Sequence, residues 1–321
     1  LATDRQSEKF SVKGLYVFDT GKGAGAALAA RPAVCVAEAP SITDAQRLHR
    51  RIWNLGNVPF LIVRLPGQVR VYSGFLYEET GQNGLILEET SEDDSKLRSA
   101  LTDFTADSID SARIWQAQRK QLDTRHRVDT KLLENLKHLA QALAEHCTPL
   151  LDLPIAHALI GKFVYLRYLR DRKILDDEWL AKRRIVLEHV FGPHATVAEL
   201  SRLVDALEER FNGDVFHLDL GSNTQVNDSH VGLVATIFAG EEIRVDKNSV
   251  VRQLHLEFQR YDFRHIPVET LSSIYEQFLH AQIEAKSEGA FYTPEVLADY
   301  LLSEINSVRQ LEPGMTILDP S

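Results

Sequence analysis

The sequence predicts three segments in order: an α/β domain over residues 1–125, a mainly α-helical domain over 126–285, and the opening helix and strand of a second α/β fold over 286–321. Three observations lead there. Short runs rich in β-branched and aromatic residues crowd the first part, apolar residues recur at helical spacing through the middle, and the last part joins a helix-start signal to a Pro-Gly turn and an apolar run.

In the first domain, Leu15-Tyr16-Val17-Phe18, Ala33-Val34-Cys35-Val36, Val58 to Val63 and Val69-Arg70-Val71-Tyr72 are bounded by Gly, Pro or Asn and read as strands. Ser41 can cap a helix in which Ala45, Leu48, Ile52 and Leu55 share one face. Pro66-Gly67 supplies the turn of a hairpin. The glycine-rich run Gly21 to Ala26 lacks the G-x-x-x-x-G-K-[ST] order of a phosphate loop and reads as a flexible connection. From Glu78 to Asp110 ten acidic residues stand against Lys96 and Arg98, periodicity is weak, and a surface loop is expected before the chain becomes helical.

In the second domain, Leu132, Leu133, Leu136, Leu139, Leu143 and Cys147 form one apolar stripe, and Leu159, Ile160, Phe163, Val164 and Tyr168 another. Further helical patterns cover Leu187 to Phe191, Val197 to Phe211 and Val268 to Leu279, with a short helix over Leu233 to Ile243. Between Ile155 and Arg184 eight basic residues face four acidic ones. Arg167, Arg170, Arg172, Arg183 and Arg184 are therefore candidates for phosphate contacts, a solvated helix face being the alternative.

A hydrophobic content of 44% with 26% charged residues suits a globular chain with a sizeable core. The net charge of −10 argues against a dedicated polyanion binder, which needs a basic surface. Neither a membrane span nor a signal-peptide core is present, so a cytoplasmic protein with no membrane partner is expected. Cys35 and Cys147 lie far apart without metal-ligand spacing, so neither a zinc site nor a disulfide framework is indicated. Leu rather than Met at the start and an unfinished motif at the end suggest part of a longer polypeptide.

Thr293 is a good N-cap and Pro294 suits the first helical position, so a helix is expected through Val296, Leu297, Tyr300, Leu301 and Ile305. Its free amides and dipole favour an anionic group such as a carboxylate. After the Pro313-Gly314 turn, Met315 to Leu318 reads as a strand carrying Asp319 at its carboxyl end, where open α/β sheets bind ligands.

In order and spacing, Gly289-Ala290-Phe291-Tyr292-Thr293-Pro294 and Ile317-Leu318-Asp319-Pro320-Ser321 resemble the cofactor-binding motifs G-x-F/Y-x-T-P and D-P-x-C-G-S-G of adenine-specific DNA methyltransferases dependent on S-adenosylmethionine. Two upstream helices extend the likeness. Leu271 to Leu279 resembles the L-x-x-I-Y-E-x-F-L helix of type I modification subunits and fused restriction-modification enzymes, and Leu159 to Arg172 resembles their L-x-x-R/K-x-x-F-L-R-F-L-x-D-R helix, with Tyr165 and Tyr168 in place of Phe. The resemblance covers roughly residues 130–321 and implies a Rossmann-like methyltransferase domain beginning near 286. It implies S-adenosylmethionine as cofactor, held by Phe291, Tyr292, Thr293, Pro294, Asp319 and Pro320, and double-stranded DNA as partner beside a specificity or restriction subunit. The family's D/N-P-P-Y/F catalytic motif does not occur here, so no catalytic residue is assigned and this stretch alone is expected to be inactive. A noncatalytic interaction module is the alternative.

Many such enzymes begin with a PD-(D/E)xK nuclease, whose carboxylates hold magnesium while a lysine helps activate water. Asp19 after one strand and Glu38 at the end of the next are similar in placement, but Glu38-Ala39-Pro40 has proline where that motif has lysine. The first domain is thus expected to be a degenerate nuclease-like fold, with Mg2+ at Asp19 and Glu38 only if it is active.

Overall fold

The computed structural model describes residues 10–17, 32–78, 84–192, 194–211, 217–221, 224–239, 258–279, 295–310, 312 and 314–316. The glycine-rich run at 21–26 lies outside them. Two compact units result: residues 1–49, 57–122 and 291–321 form one, and residues 50–56 and 123–290 the other.

The first unit holds a mixed five-stranded sheet in sequential order: β1 (Ser11–Val17), β2 (Pro32–Glu38), β3 (Phe60–Leu65), β4 (Gln68–Ser73) and β5 (Leu85–Thr90). Only β2 and β3 run parallel, because helix α1 (Ile42–Leu55) connects them, whereas the other pairs are antiparallel. The expected hairpin turn forms at Gly67, whose φ of 64° suits glycine. Ser41 caps α1 by accepting the Asp44 N–H at 3.2 Å.

Register sets the two sheet faces. Phe60 pairs with Val34 and Ile62 with Val71, and these residues share a core with Leu97, Phe104, Ile109 and Ile114 from the segment after β5. On the opposite face His49 of α1 stacks on Tyr72 with ring centroids 4.6 Å apart. The sheet is therefore covered on both sides, which accounts for the nearly unbroken apolar run in β3.

Within its described residues the acidic stretch becomes helical from Asp94 as expected, but a strand precedes the helices. It forms β5 and two short helices, α2 (Asp94–Ala100) and α3 (Ala106–Asp110), and a third, α4 (Arg113–Ala117), follows it. Caps rather than apolar periodicity specify the first two of these helices: Asp93 accepts the Ser95 N–H at 2.8 Å, and Thr105 accepts that of Ser108 at 3.4 Å. Each helix buries few anchors, among them Leu97, Ile109 and Ile114, too few for a visible stripe.

The second unit is built around α6 (Leu153–Asp171), which packs against α5 (Val128–Glu145), α9 (Asp228–Ala239) and α10 (Val268–Leu279). Leu132, Leu136, Leu139 and Leu143 of α5 are fully buried, each contributing about 2 kcal/mol relative to exposure. Phe163 meets Phe191 and Phe238, and Phe238 meets Phe258, at centroid distances of 4.9–6.0 Å. Helices α7 (Asp177–Lys182) and α8 (Val197–Phe211) complete the unit, while Leu187 to Phe191 yields only a 3-10 turn at Leu187–His189. Helix α9 starts earlier than the expected Leu233, because Asn227 accepts the His230 N–H at 3.0 Å and caps it there.

The chain's last described helix is α11 (Glu295–Val308). Met315 and Thr316, expected to open a strand, are exposed and irregular, and Ile317 and Leu318 lie outside the described residues. A strand needs a partner to complete its ladder, and the described sheet comprises β1 to β5 only.

Candidate functional site

Six residues assigned to the cofactor, Phe291, Tyr292, Thr293, Pro294, Asp319 and Pro320, lie outside the described residues. Helix α11 begins at the next residue, Glu295, as the Thr-Pro start signal requires. Its Leu297, Leu301, Ile305 and Val308 recur at helical spacing and are about half exposed or more, Val308 reaching 88%.

Glu38 stands at the carboxyl end of β2, beside a cleft of ≈ 480 Å³ shared with the end of β3 and lined by Phe10, Ser11, Pro40, Arg64 and Pro66 among others. Its carboxylate pairs with Lys13 Nζ at 2.9 Å. Pairing runs from Val12–Ala37 directly to Gly14–Val36, so Lys13 sits in a bulge of β1, a feature that re-aims a side chain. Arg64 pairs with Asp94 at 3.1 Å.

Asp19 lies outside the described residues, and among those described no group of three His, Cys, Asp or Glu could hold a metal ion. Among the described residues Glu38 is matched by the Lys13 ammonium rather than by a second carboxylate. Sequence spacing missed Lys13 because the pair joins different strands, and only the β1–β2 register brings it to Glu38.

The five candidate arginines do not form one surface. Arg167 donates to Asp171 at 2.7 Å and to the carbonyl of Phe238, and lies 5.9 Å from the Phe263 ring. Arg172 donates to the carbonyls of Phe263 and Ile266 at 3.2 and 2.8 Å and covers Tyr168. Arg170 lies 4.3 Å from the Phe191 ring, and burial followed by the nearby Arg167 charge pushes its pKa down. These three tie α6 to its neighbours.

Arg183 instead lies over Trp179 at 4.5 Å, and Arg184 is exposed at the end of α7. Arg210 of α8 joins them, 4.9 Å from the same Trp179 ring. It falls outside the basic stretch that drew attention in the sequence, and only the packing of α8 beside α7 reveals it.

Among the described residues no helix is long and apolar enough to cross a membrane. Comparison of the chain with protein-family profiles, curated proteins and solved structures finds no match in any of the three.

Proposed function

We propose that this chain is the N-terminal region of an adenine-specific DNA methyltransferase of a restriction-modification or phage-defence system. The observation that carries this reading is the order of three segments: the Leu271 to Leu279 helix, Phe291-Tyr292-Thr293-Pro294, and Leu318-Asp319-Pro320. It is supported by α11, which starts directly after Pro294 and leaves Leu297, Leu301 and Ile305 uncovered, the face a helix offers to a parallel sheet.

In this reading S-adenosylmethionine supplies an electrophilic methyl group on its sulfonium. The target adenine leaves the base stack, since its exocyclic amine is otherwise paired within the duplex. The helix start at Thr293-Pro294 would receive the cofactor's carboxylate through free amides and the helix dipole. Asp319 and Pro320 would open the loop around the cofactor, and Phe291 and Tyr292 would line its methionine side. The helical unit would help hold DNA or a specificity subunit. The test is S-adenosylmethionine binding and adenine methylation by the full-length protein and by a Tyr292→Ala, Thr293→Ala variant. Binding lost in the variant supports the reading, and a folded parent that binds no cofactor overturns it.

One observation favours a second reading, for the first unit alone: the Lys13–Glu38 pair and Pro40 suit a contact or positioning module better than a magnesium nuclease. Magnesium-dependent nicking that vanished in Glu38→Ala would refute it.

A further inference from the structure

The cluster at Trp179 sets two guanidiniums, each in a long ion pair, against one aromatic ring. The Arg183 and Arg210 guanidiniums lie 4.5 and 4.9 Å from the Trp179 ring centre, and Arg210 also lies 5.5 Å from Phe211, which is exposed. Cation–π attraction holds each guanidinium near the Trp179 ring. Each guanidinium has a long ion pair outside hydrogen-bond distance: Glu209 is 3.7 Å from Arg183, and Asp176 is 3.8 Å from Arg210. Asp176 also caps α7, accepting the Trp179 N–H at 2.7 Å. Lys182 is matched by Glu178 at 2.6 Å, Asp177 carries a further negative charge, and Arg184 is exposed on the same turn.

We propose that Arg183 and Arg210, held in place by Trp179, are the backbone-phosphate contacts of duplex DNA in this chain. The proposal rests on the methyltransferase reading and narrows it, because Arg167 and Arg172 already donate to carbonyls within the fold. Two guanidiniums held at one ring suit phosphate oxygens, which accept charge-assisted hydrogen bonds.

The test is the affinity of the full-length protein for a short duplex, measured by fluorescence anisotropy over a salt series. An Arg183→Gln, Arg210→Gln variant with the parent's circular dichroism and melting is expected to show a log–log salt slope shallower by about 1.8. An Arg183→Lys, Arg210→Lys variant should recover most of that slope, because charge sets it. An unchanged slope in the Gln variant, with a parent that binds DNA, overturns this assignment alone. Preference of the parent for an acidic polypeptide over duplex would overturn it too, in favour of a protein partner. A parent that binds cofactor but no duplex overturns both the assignment and the DNA-directed reading.

Discussion

The backbone N–H of Asp262 donates to Asn54 Oδ1 at 2.8 Å, joining residues 208 positions apart. The Asn54 amide donates in turn to the carbonyls of Arg50 and Arg260 at 2.9 and 3.0 Å, and the side chain is fully buried. One asparagine thus matches three backbone groups around the last turn of α1. Asn54→Ala leaves the buried Asp262 N–H unmatched and takes one of two donors from the Arg260 carbonyl, which keeps the Arg50 Nε–H at 3.2 Å, at an expected cost of about 1–3 kcal/mol. Chemical denaturation checks this. Trp53, stacked on Tyr261 with centroids 5.6 Å apart, provides a local fluorescent report.

Stability should fall on acidification below the ordinary histidine range. Burial lowers the pKa of His49 from 6.5 to about 4, against the raising effect of its bonds to the Ser73 and Leu76 carbonyls. His265 is lowered to about 4, first by burial, with Arg51 and Arg264 adding to the effect and Asp262 opposing it. The unfolded chain takes up these protons near pH 6.5 while the folded chain resists until about pH 4. Stability is therefore fully present above pH 6.5 and is lost as pH falls toward 4, by roughly 3 kcal/mol for His49. Denaturation midpoints across that window should flatten in a His49→Gln variant, and a parent with a flat profile would rule the assignment out.

Gly84 should tolerate no side chain. Its φ is 93°, and a Cβ would meet the Leu76 carbonyl oxygen and stand 2.9 Å from His49 Cε1. Gly84→Ala is expected to cost about 3 kcal/mol or more and to loosen the His49 ring, visible as a lower melting temperature and a His49 pKa closer to 6.5 by NMR.

Arg172 and Arg184 should differ sharply although both lie in the same basic stretch. Arg172→Ala removes two donors from the Phe263 and Ile266 carbonyls and should cost about 2–3 kcal/mol, whereas Arg184→Ala should stay within about 0.5 kcal/mol. Equal melting temperatures for the two variants would refute the structural role of Arg172.

Leu301→Glu and Ile305→Glu should leave the melting of this chain nearly unchanged, since these side chains are 48% and 47% exposed. The same changes in the full-length protein are expected to abolish methylation if α11 packs on a methyltransferase sheet, which a methyl-transfer assay reads directly.

The sheet was legible wherever short β-branched runs met Gly or Pro, as at Val58 to Val63 and Pro66-Gly67, and α1 was legible from Ser41 and its apolar face. Segment β5 (Leu85–Thr90) was not, because an edge strand half open to solvent carries glutamates where an inner strand carries valines. The Lys13–Glu38 pair and the arrangement around Trp179 depend on which strand and helix are neighbours, information that linear spacing does not hold. A charge count likewise cannot tell a solvated guanidinium from one that donates to backbone carbonyls, as Arg167 and Arg172 do.

Helix α6 is buried along most of its length, from Ala156 through Leu166, and includes Lys162, whose ammonium approaches Glu208 at 3.4 Å. That middle stretch has no wet face on which to rest while its neighbours form. It gains its stabilisation only when α5, α9 and α10 arrive together, so the helical unit should assemble as a single event. Cutting the chain between those helices would therefore leave an aggregation-prone apolar rod rather than a smaller stable domain.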